Sequence, residues 1–259
     1  MPRFEHAVGP IIRVAIILAM LAIWEVLARA GLISSFFFSS PSEVGEVLLD
    51  WFREGRVFGN IGLTLGEAAI GFLIGSMLGT ALAFLLAFMP RVAAVFDPFI
   101  AAFNAFPRLT LAPLFIVWFG FGMEPKIVLV ATFVLFICYL SAMTGLREVP
   151  AEFLDRAKLW GASAPALMQT VYLPSAAAWI FTGLRSSIGF AFIGAVVGEY
   201  VSGDSGIGYL ILEGQARFRI REVFAGLFVL LCAAALINFA LQRLEKRFMR
   251  WRPELGKQT

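Results

Sequence analysis

VPAEFLDRAKLWGASAPALMQTVYLP, residues Val149–Pro174, is a charged, helix-prone island between two strongly apolar stretches. Pro150 and Glu152 open a helix with negative charge in its first turn, which suits the positive end of the helix dipole. Gly161 ends that helix, and Pro174 terminates the one that follows. Phe153, Leu154, Ala157 and Trp160 make an apolar side, and Glu152, Asp155, Arg156 and Lys158 a polar one. A chain that keeps a short amphipathic lever between two membrane-length runs presents it to an aqueous partner. Amphipathicity alone would equally describe an ordinary interfacial helix.

Working outward, the 259 residues are 60% hydrophobic and 15% charged, against about 45–50% and about 25% in soluble domains. The chain belongs in a bilayer, and its apolar stretches run almost end to end, so residues 1–259 read as one all-α polytopic membrane domain. The net charge of +3 is spread over loop ends and the C-terminus rather than gathered into a stripe, which excludes nucleic acid as a partner. Cys138 and Cys232 both fall inside apolar stretches and read as packing residues. His6 is the single histidine, so no metal cluster or Ser-His or Cys-His nucleophile pair is expected. The chain reads as not catalytic, without metal or cofactor of its own.

Candidate spans are Ile11–Ala28, Leu63–Phe88, Val92–Phe119, Ile127–Gly145, Ala176–Val201 and Val223–Leu241, each long enough or nearly so to cross about 30 Å at about 1.5 Å per residue. Arg3, Arg13 and Ala28-Arg29-Ala30 imitate a signal peptide, yet the first run approaches spanning length and is read as a retained span. The third span holds Pro98, Pro107 and Pro113, which should kink or break it. With a cytoplasmic N-terminus, twelve Lys and Arg lie inside and seven outside, Arg108 and Arg185 being within spans. That bias places both termini and the Val149–Pro174 segment in the cytoplasm. Pro41-Ser42-Glu43 followed by Val44, Val47, Leu48 and Trp51 predicts an interfacial helix on the outer leaflet. Gly71, Gly75 and Gly79, at four-residue spacing, predict a face that meets another helix closely.

Asp155, Ala157 and Gly161, then Val171, Leu173 and Pro174, fit the spacing E-A-A, three residues, G, nine residues, I-x-L-P. This resembles the cytoplasmic loop of ABC importer permease subunits, with Asp155 where Glu is usual and Arg156 where the first Ala is usual. SPSEV at Ser40–Val44, APLFIVWFGFG at Ala112–Gly122, GLR at Gly183–Arg185, Gly198-Glu199, GIGYLI at Gly206–Ile211 and Trp251 extend the likeness to the nitrate, sulfonate and taurine branch. Glu67, where that branch tends to carry Arg, and Asn104-Ala-Phe-Pro107, where it tends to carry Arg-x-Ile-Pro, depart from it.

The resemblance implies a type I ABC importer transmembrane domain with six transmembrane helices and a cytoplasmic coupling helix in the loop 147–174. It implies a bacterial inner-membrane permease that works as a pair, most simply a homodimer. Two cytoplasmic ATPase subunits would dock on the loops, and an outer solute-binding protein would deliver a small anion such as a sulfonate, taurine or nitrate. A heterocyclic vitamin or vitamin precursor is the alternative cargo. GxxxxGK[ST] is absent, so ATP and Mg belong to the partner ATPase. A secondary transporter driven by an ion gradient is the rival of another class, since broken helices and buried charges suit it too. The coupling residues implied are Glu152, Asp155, Arg156, Ala157, Gly161, Val171, Leu173 and Pro174.

Ionisable groups inside spans are costly and mark functional candidates. Arg185 and Glu199 share a face of the fifth span but stand about 21 Å apart along it, Arg185 toward the cytoplasm and Glu199 at the outer mouth. Arg185 is read either as a structural cation or as a contact for a passing anion. Asp97, Asn104 and Arg108 would share a face of a continuous third span. Arg108 either contacts anionic cargo or pairs with Asp97 or Glu67. Phe103 and Phe106 are candidates for an apolar gate beside it. Arg217, Arg219 and Arg221 read as loop charge, with contact to the binding protein or lipid phosphates as the alternative.

Overall fold

The computed structural model describes residues 3–248, and among them every regular element is helical. In chain order these are α1 (Arg3–Arg29), α2 (Ser35–Phe38), α3 (Pro41–Arg53), α4 (Arg56–Ala87), α5 (Pro90–Ala105), a 3-10 turn (Arg108–Leu111), α6 (Ala112–Phe119) and α7 (Glu124–Arg147). Then come α8 (Ala151–Leu159), α9 (Ala164–Leu167), a π turn (Met168–Tyr172), α10 (Leu173–Ser202), α11 (Ile207–Ala216) and α12 (Ile220–Phe248). By length and composition Arg56–Ala87, Glu124–Arg147, Pro165–Ser202 and Ile220–Arg247 are each able to cross a bilayer, and α5 with the turn and α6 forms a bent pair that adds a fifth. The run expected as the first span lies within α1. Trp251 and the basic residues Arg250, Arg252 and Lys257 lie outside the described residues.

Helix α7 is the centre of the bundle, half of its apolar window being buried against 22% in α12. Small residues let two neighbours reach its backbone. A Cβ on Gly71 would stand 2.5 Å from the Val130 Cβ, and one on Gly75 would stand 2.6 Å from the Ala131 carbonyl oxygen. A Cβ on Gly79 would run into the Leu135 carbonyl. On the other side, Gly183, Gly194 and Gly198 of α10 meet Ser141, Val130 and Lys126 of α7 as closely. Lipid tails supply no hydrophobic drive between helices, so this close packing is what holds α4, α7 and α10 together. Ala68, Val130, Val134, Cys138, Ala191 and Ala195 fill the space between the three.

Of the three prolines in the third span, Pro107 marks the break. It forces Phe106 into an extended conformation (φ −69°, ψ 134°), and the chain turns through 83° between α5 and the Arg108–Phe119 segment. Pro98 sits inside α5 without ending it, and Pro113 lies in the first turn of α6, where a missing N–H costs nothing.

Two expectations are corrected. Pro174 does not terminate a helix; it lies in the first turn of α10, and the helical path from Pro165 runs on to Ser202. The π turn just before it widens the backbone where the proline would otherwise crowd the preceding turn. The apolar stripe of α3 is not laid on lipid: Val44, Val47 and Trp51 are buried against Ile207, Leu210, Ile211, Ala225 and Val229 of α11 and α12. The helix itself forms as expected. Ser40 accepts from the Glu43 N–H at 3.3 Å, and Pro41 takes its first turn.

Candidate functional site

The segment Val149–Pro174 folds as a short helix, a turn and a helix start. Gly161 adopts φ +81°, the left-handed conformation that glycine enters without strain. The Ala162 N–H donates to the Ala157 carbonyl at 3.0 Å, closing a Schellman motif that ends α8. The three residues between Ala157 and Gly161 are therefore the geometry of a helix stop. Ser163 starts the next helix, its hydroxyl accepting from the Ala166 N–H at 3.4 Å. Glu152, Asp155 and Arg156 are exposed, while Ala157, Val171 and Pro174 are half-buried. Phe153, Leu159 and Trp160 are 63%, 84% and 88% exposed. Leu154 turns inward, so the apolar residues of α8 divide between two faces.

The root of this loop is tied to two membrane helices. Arg147 donates to the Asp97 carboxylate of α5 at 3.0 Å, and the Trp179 indole N–H of α10 donates to Glu148 at 2.6 Å. A cavity of about 350 Å³ lies at this junction, lined among others by Pro90, Asp97, Met143, Arg147, Leu154 and Tyr172. These bonds join the end of α7, three residues before α8 begins, to α5 and α10.

At the break of the third span Arg108 is 91% buried, with 9% of its surface exposed. Its Nη2 donates to the Asn104 carbonyl at 3.1 Å and to Asn104 Oδ1 at 2.7 Å. Its guanidinium carbon stands 4.5 Å from the Phe136 ring centre and 5.8 Å from that of Phe133. Neither carboxylate proposed as its partner reaches it, because Asp97 is bound to Arg147 and Glu67 to Lys126. The break is the reason: Arg108 has left the α5 helix, so offsets counted along a continuous span no longer describe its neighbours. Phe103 stacks on Phe136 with centres 6.5 Å apart, while Phe106 is 45% exposed at the break itself.

Arg185 forms an ion pair with Glu245 of α12, which supports the structural reading of this cation. Glu199 is fully buried and anchors α11. It accepts from the Thr64 hydroxyl and the Gly208 N–H, both at 2.6 Å, while Thr64 accepts from the Ile207 N–H and Asn60 from the Gly206 N–H, both at 2.9 Å. A carboxyl group and two polar side chains thus satisfy the free N–H groups at this helix start. A Cβ on Gly206 or Gly208 would strike the Glu199 carboxylate. This cap brings Gly198-Glu199 against the start of Gly206–Ile211, and leaves Glu199 without exposed surface.

Sequence reasoning missed the ion pairs beside the cap. Lys126, 1% exposed, binds Glu67 at 3.1 Å and Asp204 at 2.9 Å. Burial works against ionisation of Asp204, but its bonds from Lys126 and Ser202 outweigh this and hold its carboxyl below the usual range. Lys126 follows Glu124-Pro125 at a helix start, which reads as loop charge; no local signal placed it inside. Arg217 and Arg219 pair with Glu213 and Glu222. Among the described residues no group of three or more His, Cys, Asp or Glu is placed to hold a metal ion.

Residues 71–251 match the family model described as binding-protein-dependent transport system inner membrane component. The chain is similar to the putative aliphatic sulfonates transport permease protein SsuC of Bacillus subtilis, with 31% identity over 233 residues, 90% of this chain and 84% of that protein. It is also similar to the formylaminopyrimidine transport permease protein ThiX of Halalkalibacterium halodurans, with 28% identity over 91% of this chain and 93% of that protein. Among solved structures, an inward-facing form of the MetNI methionine ABC transporter superposes with a TM-score of 0.65 at 17% identity, covering 74% of this chain and 95% of that one. The fold is that of a type I ABC importer transmembrane domain. With a matching fold and a family model over most of its length, the chain belongs to the inner-membrane components of binding-protein-dependent transport systems.

Proposed function

We propose that this chain is the permease subunit of an ATP-driven importer for a small organic anion. It spans the bacterial cytoplasmic membrane six times as one domain, both termini inside, and pairs with a second copy. A solute-binding protein hands cargo to its outer face. Two ATPase subunits, which hold ATP and Mg, dock on α8, with Glu152, Asp155, Arg156, Ala157, Gly161, Val171, Leu173 and Pro174 forming the coupling loop. Asn104, Phe106 and Arg108 line the path of the anion. The chain itself carries out no chemical step.

The observation that carries this reading is α8, a helix with Phe153, Leu159 and Trp160 turned outward while its root is tied to α5 through Asp97 and to α10 through Trp179. Exposed large apolar side chains on a cytoplasmic lever fit a protein partner, and the ties give that partner's motion a route to the Arg108 break. Similarity to a sulfonate permease favours an anion as cargo; similarity to a formylaminopyrimidine permease favours the heterocyclic alternative. The test is purification from native membranes followed by reconstitution. An ATPase subunit should co-purify, and uptake should require ATP and the binding protein. Uptake by this chain alone under an ion gradient would instead establish the secondary-transporter reading.

A further inference from the structure

At the end of α7 away from α8, ionisable side chains from four segments meet. They are Glu67 of α4, Lys126 of α7, Glu199 of α10 and Asp204 of the turn before α11. Glu67 and Glu199 have no exposed surface and Lys126 almost none. The Lys126 ammonium therefore faces three carboxyl groups and is already divided between Glu67 and Asp204. Asp204, its side chain 40% exposed, reaches solvent and also accepts from the Ser202 hydroxyl at 2.8 Å. Glu67 and Glu199 have no such outlet.

The hydrogen bonds show what is missing between these two. Both Glu67 oxygens are buried and accept no hydrogen bond, the 3.1 Å Lys126 contact being an ion pair only. The Glu67 carboxyl faces that of Glu199. Two facing carboxylates have no donor between them, and a single proton supplies one. Like charges this close and this far from water do not both persist. We propose that Glu67 and Glu199 hold one proton between them, and that this proton is a latch fastening the start of α11 to α4 and α10. With the proton in place, Glu199 keeps its contacts to Thr64 and to the Gly208 N–H. When the proton passes to bulk water, a second bare carboxylate stands beside the first while Lys126 gains no charge, so Glu67 and Glu199 are driven apart. Tyr200, next to Glu199 on α10, is the further titratable group that feels this charge. The latch thus stays closed at neutral pH and loosens as pH rises. It lies at the opposite end of α7 from the Arg147–Asp97 tie and does not depend on which cargo is carried.

Infrared spectra of the full-length permease in lipid vesicles test the proton directly. Exposed carboxyls are ionised at neutral pH, so a C=O stretch of a protonated carboxyl reports a buried one. Wild type should show this band. Glu67→Gln and Glu199→Gln should each lose it, because the remaining carboxyl then has Lys126 and a side-chain amide donor to itself. Glu124→Gln, which alters an exposed carboxyl in the same helical turn as Lys126, should keep it. Absence of the band in wild type, or its survival in either buried-site variant, overturns the shared proton. Hydrogen exchange of the peptide containing Gly206–Gly208, corrected for the intrinsic pH dependence of amides, tests the latch. In wild type it should quicken over the pH range in which the band disappears, and in Glu67→Gln it should not. The same pH response in both overturns the latch. Cys138, 1% exposed between α4, α7 and α10, should stay unreactive to maleimide in each variant, which reports an intact bundle; the wild-type spectrum decides the proton without any variant.

Discussion

Replacing Gly75 by Ala should separate α4 from α7, and replacing Gly62 should not. The added Cβ at Gly75 would stand 2.6 Å from the Ala131 carbonyl oxygen and 2.8 Å from the Val134 Cβ, whereas at Gly62 nothing lies within 4 Å. Ordinary carbon contacts are about 3.5–4.0 Å, so the helices must part by about 1 Å at Gly75, and a backbone carbonyl cannot step aside. Overpacking of this kind costs about 1–3 kcal/mol. Both variants gain the same helix propensity, up to about 1 kcal/mol for Gly→Ala, so the difference between them isolates the steric cost. Cys138, 1% exposed in the core between α4, α7 and α10, is a built-in reporter. The exposed Cys232 is first removed as Cys232→Ser. Maleimide labelling of Cys138 is then followed as dodecyl sulfate is added to detergent-solubilised protein. The reactive population of Gly75→Ala should exceed that of Gly62→Ala by roughly five- to 150-fold under matched conditions. Equal labelling of the two would refute the close approach of α4 and α7 at this turn.

Three further outcomes follow from the ion pairs and the loop. Lys126→Met leaves Glu67 buried without its cation and should cost about 3–5 kcal/mol; the double variant with Glu67→Gln should recover most of it by Cys138 labelling, and a single variant as stable as wild type would contradict the buried pair. Gly161→Asp places a side chain at φ +81°, a strain of about 1–2 kcal/mol, and should leave ATP hydrolysis running while uptake falls; normal uptake counts against the lever. Arg185→Glu should reduce the yield of folded protein, with Glu245→Arg in the same chain restoring it. Failure of the exchange to restore yield would show that Arg185 does more than neutralise Glu245.

Much of the loop was legible because its signals are local. Pro150, Glu152, Ala157 and Gly161 act on the backbone within one or two turns, and α8 ends where a positive φ is needed. The glycine face of α4 was legible as well, since a four-residue spacing keeps Gly71, Gly75 and Gly79 on one side. Its partner was not, because a helix face names a direction rather than a neighbour. Pro174 was misread for a related reason: a proline ends a helix only when nothing upstream can relieve it, and the π turn at Met168–Tyr172 does so here. Trp51 and Val47 were read as lipid-facing because amphipathicity does not distinguish lipid from the apolar side of α11 and α12.

The amino-acid sequence by itself determined that this chain is helical and lives in a bilayer, that its third span breaks, and that a polar lever lies between two spans. Each rests on composition, local propensity or the missing N–H of a proline, which act over a few residues. Only the tertiary structure decided what the buried charges do. Thr64 meets Glu199 across 135 positions, and Lys126 meets Asp204 across 78. Removing a charge from water is so costly that each must find a partner within about 3 Å. Which group comes that close is set by how the helices cross, and so Glu199 became the cap of α11 while Arg108 kept a donor free beside Phe136.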